Sequence, residues 1–255
     1  MAFELAENQP VYEVTNLGFS YDGQTPALEA IDMIVHPHEI LAIVGSNGSG
    51  KSTLLKILDG LYFPTGDTVK AFGQILSEQA FRDDVFNFEF RKRVGFIFQD
   101  SDVQLFMPSV WDEIAFGPLQ LGVEKQEIVS RVERALNELN IAKLRDRAPH
   151  QLSGGEKKLV ALASVVSLAP EVWLMDEPSA GLDPRSASWL KGFISAQAQA
   201  KKTVVISTHD LSLVEAVANR VYVMDENHRV IAEGSPEVIL SDRSLLIQAN
   251  LCVNK

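Results

Sequence analysis

The chain has 255 residues, 46% hydrophobic and 22% charged, the balance of an ordinary soluble globular protein with length enough for one large α/β unit and an ample core. Its 23 basic and 34 acidic residues give a net charge of −11, which argues against direct binding to nucleic acid or anionic lipid. The lone Cys252 excludes an internal disulfide and fits a reducing compartment, the acidic start lacks the apolar core of a signal peptide, and no apolar stretch is long enough to span a bilayer.

In chain order, residues 11–19 and 27–35 read as a hairpin whose turn opens with Tyr21-Asp22-Gly23. His36-Pro37-His38 offers two imidazoles with no third ligand nearby, and is read as surface rather than a metal site. Ile40-Leu41-Ala42-Ile43-Val44 is an apolar run suited to a strand buried on both faces. It leads into Gly45-Ser46-Asn47-Gly48-Ser49-Gly50-Lys51-Ser52-Thr53, which fits the phosphate-cradling pattern G-x-x-x-x-G-K-[ST]. Glycines let successive backbone N–H groups turn inward on a triphosphate, Lys51 sets a charge beside the β- and γ-phosphates, and Ser52 can ligate Mg²⁺. Leu54, Leu55, Ile57, Leu58 and Leu61 then fall at helical spacing, and a helix starting near Lys51 adds its positive end.

Pro64-Thr65-Gly66-Asp67 closes that helix and opens a β segment through Val69 and Phe72. Residues 75–93, with Arg82-Asp83-Asp84 and Arg91-Lys92-Arg93, read as an irregular, solvated insertion. Val94–Phe98 is a second apolar strand ending at Gln99, and from Pro108 to about Leu168 the pattern is helical. Within it Ile128, Val132, Leu136 and Leu139 make one apolar stripe on a charged helix. Leu152-Ser153-Gly154-Gly155-Glu156 is a glycine turn entering a helix over 156–168. It serves either as a second anion cradle, useful if it caps a nucleotide held by another copy, or as an ordinary serine cap. Val172–Met175 is a strand ending in Asp176 and Glu177. There one carboxylate can hold Mg²⁺ through its water shell and the other can take a proton from an attacking water. Strand character returns at 204–207, and Val221–Met224 with Val230–Ala232 closes the chain as a hairpin.

Taken together, GSNGSGKST, Gln99, LSGGE, VWLMDEP, Ser179–Asp183 (SAGLD) and the His209 of ISTHD resemble an ABC-type ATPase over nearly the whole chain. The resemblance implies an α/β fold: a P-loop NTPase core with an N-terminal antiparallel β subdomain and an inserted helical subdomain. All 255 residues would form one such domain, with 1–98 and 170–255 as core and about 99–169 as Q-loop, helical lobe and signature. It implies ATP and Mg²⁺ as ligands and a head-to-tail dimer, with a second copy or a related ATPase. Each ATP would lie between one Gly45–Thr53 loop and the partner's Ser153, Gly154 and Gly155. By the same match Tyr21 stacks on adenine, Asp183 sits on the D-loop at the seam, His209 contacts the γ-phosphate, and Gln99 serves the metal and the hydrolysis site with Asp176, Ser52 and Glu177. Glu156 departs from the family, which most often has glutamine there.

Gln99–Phe106, Pro108-Ser109-Val110 and Glu113–Pro118 are similar to the Q-loop region of energy-coupling-factor transporter ATPases, especially the cobalt/nickel type. That implies an ATPase at the cytoplasmic face of the cell membrane. Val103, Leu105, Phe106 and Val110 would either dock on a membrane scaffold protein or pack the core of the helical lobe, and a separate membrane protein would capture the solute. Alternatives are a vitamin-transporting module of the same type, an ordinary importer, and a DNA-repair ABC ATPase. The last is disfavoured by the absence of coiled-coil heptads between residues 53 and 152 and by the acidic charge.

Overall fold

The computed structural model describes residues 9–66 and 68–253, and among these the strands fall into two sheets. β1 (Tyr12–Ser20) and β2 (Pro26–Val35) form the expected antiparallel hairpin. On β2, Leu28, Ile31, Met33 and Val35 are buried while Asp32 and Ile34 face out, the near-alternation of a half-buried strand. β3 (Ile40–Val44) leaves this sheet for the centre of the other and is followed by helix α1 (Lys51–Leu58). β4 (Val69–Ala71) and β5 (Gln74–Ile75) return to the small sheet, in the order β2-β1-β4-β5. Asp67, placed by sequence in the turn after α1, lies outside the described residues.

Short α2 (Glu78–Phe81) and α3 (Asp84–Arg93) lead to β6 (Val94–Ile97). Then come α4 (Ser101–Gln104), α5 (Val110–Gln120), α6 (Lys125–Glu138) and α7 (Gly154–Val166) before β7 (Val172–Asp176). α8 (Pro184–Gln199), β8 (Thr203–Thr208), α9 (Leu211–Val217), β9 (Arg220–Met224), β10 (Val230–Gly234), α10 (Pro236–Ser241) and α11 (Arg243–Gln248) complete the order. The second sheet runs β10-β9-β3-β8-β7-β6, parallel throughout except for β10 at one edge. Every residue of β3, β7 and β8 is buried, because helices cover both faces. The α6 stripe of Ile128, Val132, Leu136 and Leu139 packs in one cluster with Val110 and Ile114 of α5 and Val160 and Ala163 of α7.

Three expectations are corrected. Residues 75–93 are not an irregular solvated insertion: α2 and α3 are capped by Ser77 and Asp83, and Phe90 is fully buried. Nor is the second charge cluster merely solvated. Arg91 donates to the carbonyl and carboxylate of buried Asp59, and Arg93 clamps Glu171 through Nε and Nη2. The sequence pattern missed this because the apolar partners of α3 come from elsewhere in the chain. Leu61 lies beyond α1 and is partly exposed, since Gly60 adopts φ 66 and ends the helix. Val110 is fully buried within the helical cluster and Leu105 packs against it, so neither belongs to an open docking groove. Phe90 meets the rings of Phe72, Phe81 and Phe86 at centroid distances of 6.5, 5.0 and 6.3 Å. Truncation to alanine is expected to cost about 3–5 kcal/mol of unfolding free energy. Denaturant titration checks this, and a loss below about 1 kcal/mol would mean the cluster repacks.

Candidate nucleotide site

The C-terminal ends of β3, β6, β7 and β8 converge, the edge at which open α/β sheets bind ligands. Beyond β3 the chain turns through Gly45–Gly50 into α1, with Gly50 at φ 103, where a side chain would be strained. Lys51 is buried beneath this loop. Its Nζ donates to the carbonyls of Gly45 (2.8 Å) and Ser46 (2.9 Å) and stands 3.8 Å from the Glu177 carboxylate. Burial lowers its pKa, and the Glu177 and Asp176 carboxylates oppose that shift. The hydroxyls of Ser46 and Ser49 are shielded and have no partner among the described residues.

Asp176 ends β7. Its Oδ1 accepts from Ser52 Oγ at 2.9 Å and from Ser207 Oγ of β8, its neighbour in the parallel register. Glu177 follows in the left-handed region (φ 43), a strained conformation of the kind found at functional sites. Its carboxylate is buried and fixed: Oε2 accepts from Thr208 Oγ1 at 3.1 Å, and Oε1 lies 2.9 Å from His209 Nδ1. The glycine loop, Lys51, Ser52, Asp176, Glu177 and His209 are therefore in one place. Gln99, exposed at the end of β6, lines a cleft of about 480 Å³ together with Asp176, Lys56, Tyr62 and Val103.

A second cleft, of about 400 Å³, runs from Gly48, Gly50, Ser52 and Thr53 out to Tyr21 and the β1–β2 turn. Tyr21 is largely exposed. Its hydroxyl pairs with Thr53 Oγ1 at 2.8 Å, and its ring meets Phe19 and Tyr62 edge-on. Tyr21 thus lies beside the loop.

Ser153–Gly155 and Asp183 stand apart. Among the described residues no hydrogen bond or ion pair joins them to the Gly45–Thr53 loop. Ser153 caps α7 in a reciprocal box with Glu156, whose carboxylate accepts from the Ser153 backbone (3.0 Å) and hydroxyl (2.9 Å). Those bonds hold Glu156 below the usual carboxylate range, so the acidic residue is suited to a helix start. Helix α7 begins two residues before the expected Glu156 and stops two before Leu168. Asp183 caps α8 by accepting from the N–H groups of Arg185 and Ser186 and from the Ser186 hydroxyl. His36 and His38 are exposed, and no cluster of potential metal ligands occurs among the described residues.

Sequence reasoning missed Ser207, Thr208 and Lys158. The first two are ordinary strand residues until the β7–β8 register places them on the carboxylates. Lys158 of α7 is buried, with its Nζ donating to the carbonyls of Glu177 (2.9 Å) and Ala180 (3.0 Å). It ties the helix after LSGGE to the strained turn at Glu177. Lys158→Met keeps the apolar stem and removes those charged donors. We expect ATP turnover to fall about tenfold or more with ATP affinity nearly unchanged. Wild-type turnover would show that the turn holds without the tie.

A glycine loop with lysine at one strand end, a serine–aspartate pair, and a histidine-held glutamate on neighbouring strands define the class: a P-loop nucleoside-triphosphate hydrolase. A family model described as ABC transporter matches residues 28–180. A putative ABC transporter ATP-binding protein of Methanosarcina acetivorans is 46% identical over 94% of this chain and 88% of its own. The nickel import ATP-binding protein NikO of Rhodobacter capsulatus is 45% identical over 95% and 96% of the two chains. An energy-coupling-factor transporter ATP-binding protein, EcfA, of Carboxydothermus hydrogenoformans is 41% identical over 94% and 86%. Among solved structures, CbiO1 of Clostridium perfringens, part of the transporter complex CbiONQ, superposes with a TM-score of 0.77 at 33% identity over 96% of each chain. The chain belongs to the ABC transporter family. It is an ABC ATPase of the energy-coupling-factor type.

Proposed function

We propose that this chain hydrolyses ATP to drive uptake of cobalt or nickel ion as the peripheral, cytoplasmic-face subunit of an energy-coupling-factor importer, without touching the ion itself. The observation that carries the reading is the constellation of buried Lys51, Asp176 and Glu177 with half-buried Ser52 and exposed His209, in a chain similar to a nickel import ATPase and to a subunit of CbiONQ.

On this reading two copies, or this chain and a related ATPase, pair head to tail, and Ser153–Gly155 of one caps ATP held by Gly45–Thr53 of the other. Both are exposed or partly exposed helix starts with backbone N–H groups to offer phosphate, which supports the pairing. Mg²⁺ fits the hard oxygen donors of Ser52 and Asp176, with Gln99 nearby, and when bound it neutralises charge on the phosphates. The chain's own residues do the rest. Tyr21 holds the adenine, and Lys51 moves from loop carbonyls to phosphate oxygens. Glu177, oriented by Thr208 and His209, takes the proton of the attacking water, His209 contacts the γ-phosphate, and Asp183 lies at the seam with the partner.

Docking to the membrane scaffold falls to Val103, which lines the Gln99 cleft, and to Phe106 three residues on, 68% and 64% exposed. Buried Glu113 accepts from the N–H groups of Phe106 and Met107, which holds this apolar tip outward on the helical lobe. An acidic chain gains nothing from phosphate backbones, so its partner is a protein and not nucleic acid. Replacing Val103 and Phe106 with serine removes roughly 1.5–3 kcal/mol of apolar burial per side chain on docking. Copurification with a candidate membrane scaffold protein should be lost while melting temperature and ATP affinity hold. Undiminished copurification would contradict the docking assignment, and uptake of labelled nickel or cobalt by cells carrying the unsubstituted chain, lost in the variant, reads the solute.

A further inference from the structure

We infer that His228, at the tip of the β9–β10 hairpin, contacts the nucleoside half of the bound nucleotide and helps select it. This rests on the nucleotide reading of the Tyr21–Thr53 cleft and assigns a residue to its far wall.

The cleft has two chemically different ends. At one, Gly48, Gly50, Ser52 and Thr53 offer backbone N–H groups and hydroxyls, the equipment for phosphate. At the other, the wall is Tyr21, Asp22, Thr25, Pro26, Ala27 and His228, and whatever is joined to the phosphates must lie there. Most polar groups of that wall are already engaged. The Tyr21 hydroxyl pairs with Thr53, and the Asp22 carboxylate accepts from Ser20, Gln24 and Thr25, bonds that hold it down to about 2. Thr25 Oγ1 leans on Asp22 at 3.4 Å. The His228 imidazole is different: it lines the cleft with neither ring nitrogen hydrogen-bonded among the described residues, Nδ1 shielded from solvent and Nε2 left for a ligand. A ribose hydroxyl or a purine ring nitrogen can serve as donor or acceptor to an imidazole, and the ring face can pack on either.

The hairpin tip is built to hold that ring in place. Asp225 is buried, accepts from the N–H groups of Asn227 and Arg229 through its side chain, and takes the His228 N–H on its carbonyl. The His228 carbonyl accepts from Glu29 N–H at 3.0 Å, and Arg229 forms an ion pair with the Glu29 carboxylate. These bonds latch the tip to β2, the strand that leaves the Tyr21 turn, so Tyr21 and His228 are fixed relative to each other. His228 itself sits at φ 62, where glycine is more comfortable.

That backbone gives a clean test, because His228→Gly removes the imidazole and relaxes the turn. Calorimetric titration of the full chain with Mg·ATP, Mg·GTP and inorganic tripolyphosphate compares His228→Gly with Tyr21→Ala and Lys51→Ala. The inference expects His228→Gly to weaken ATP about three- to tenfold and narrow the ATP/GTP ratio, with tripolyphosphate affinity and melting temperature maintained. Unchanged ATP affinity in His228→Gly, with Tyr21→Ala weakened, overturns the inference and leaves the nucleotide reading standing. Equal weakening of ATP and tripolyphosphate also overturns it, as a structural effect of the hairpin. If Tyr21→Ala and Lys51→Ala both bind ATP normally, the cleft is not the nucleotide site and both readings fall.

Discussion

Glu177→Gln is expected to lower ATP turnover by about a hundredfold or more while ATP affinity is retained. Glutamine is the same size and can still accept from Thr208 Oγ1, so the strained turn and the Lys158 tie stay formed. What it cannot do is take a proton from water. Removing the carboxylate also removes the negative charge 3.8 Å from the Lys51 ammonium, which favours swinging that cation onto phosphate. The variant should therefore accumulate as an ATP-bound dimer, visible as a shift in sedimentation on adding Mg·ATP. Turnover near that of the wild type would show that another group is the base.

The second large effect concerns a residue with no contact to the loop that it is proposed to serve. Ser153→Arg places a long cation at the start of α7, in place of a hydroxyl that only caps its own helix. In an isolated chain the loss is that of a helix cap, about 1 kcal/mol, and ATP affinity should not move. In a head-to-tail dimer the same change obstructs the partner's nucleotide, and turnover should fall by about a hundredfold, as for loss of preorganised donors at a reacting phosphate. Retained turnover would mean that each chain hydrolyses ATP alone.

Much of this site was legible because its parts are short and local. The Gly45–Thr53 loop needs only its own residues and the apolar strand before it. The Asp176-Glu177 pair at a strand end gains its meaning from the P-loop earlier in the chain, and Tyr21 is marked by the family resemblance rather than by its own turn. What escaped was set by tertiary register. Ser207 and Thr208 reach the carboxylates only because β7 and β8 pair in parallel, Asp176 against Ser207. Lys158 reads as one more charged helix residue until α7 turns it onto the Glu177 carbonyl, 19 positions away. The same limit explains α3: its apolar residues are few and unevenly spaced, and Phe90 packs on Phe72 and Phe81 from outside the helix as well as on Phe86 within it. Val103, Leu105, Phe106 and Val110 look alike in sequence, yet folding sends Val110 inward and leaves Val103 and Phe106 in water.

The composite site is the centre of this account, and one cross-link tests it directly. Asn47 and Ser153 are both exposed, one on the phosphate loop and one at the start of α7. Cysteines at both positions, in a chain with Glu177→Gln and with Cys252 replaced by serine, are oxidised with and without Mg·ATP. The account predicts a disulfide-linked dimer that forms only with nucleotide. Monomer alone, or an internal link in the presence of Mg·ATP, would contradict it.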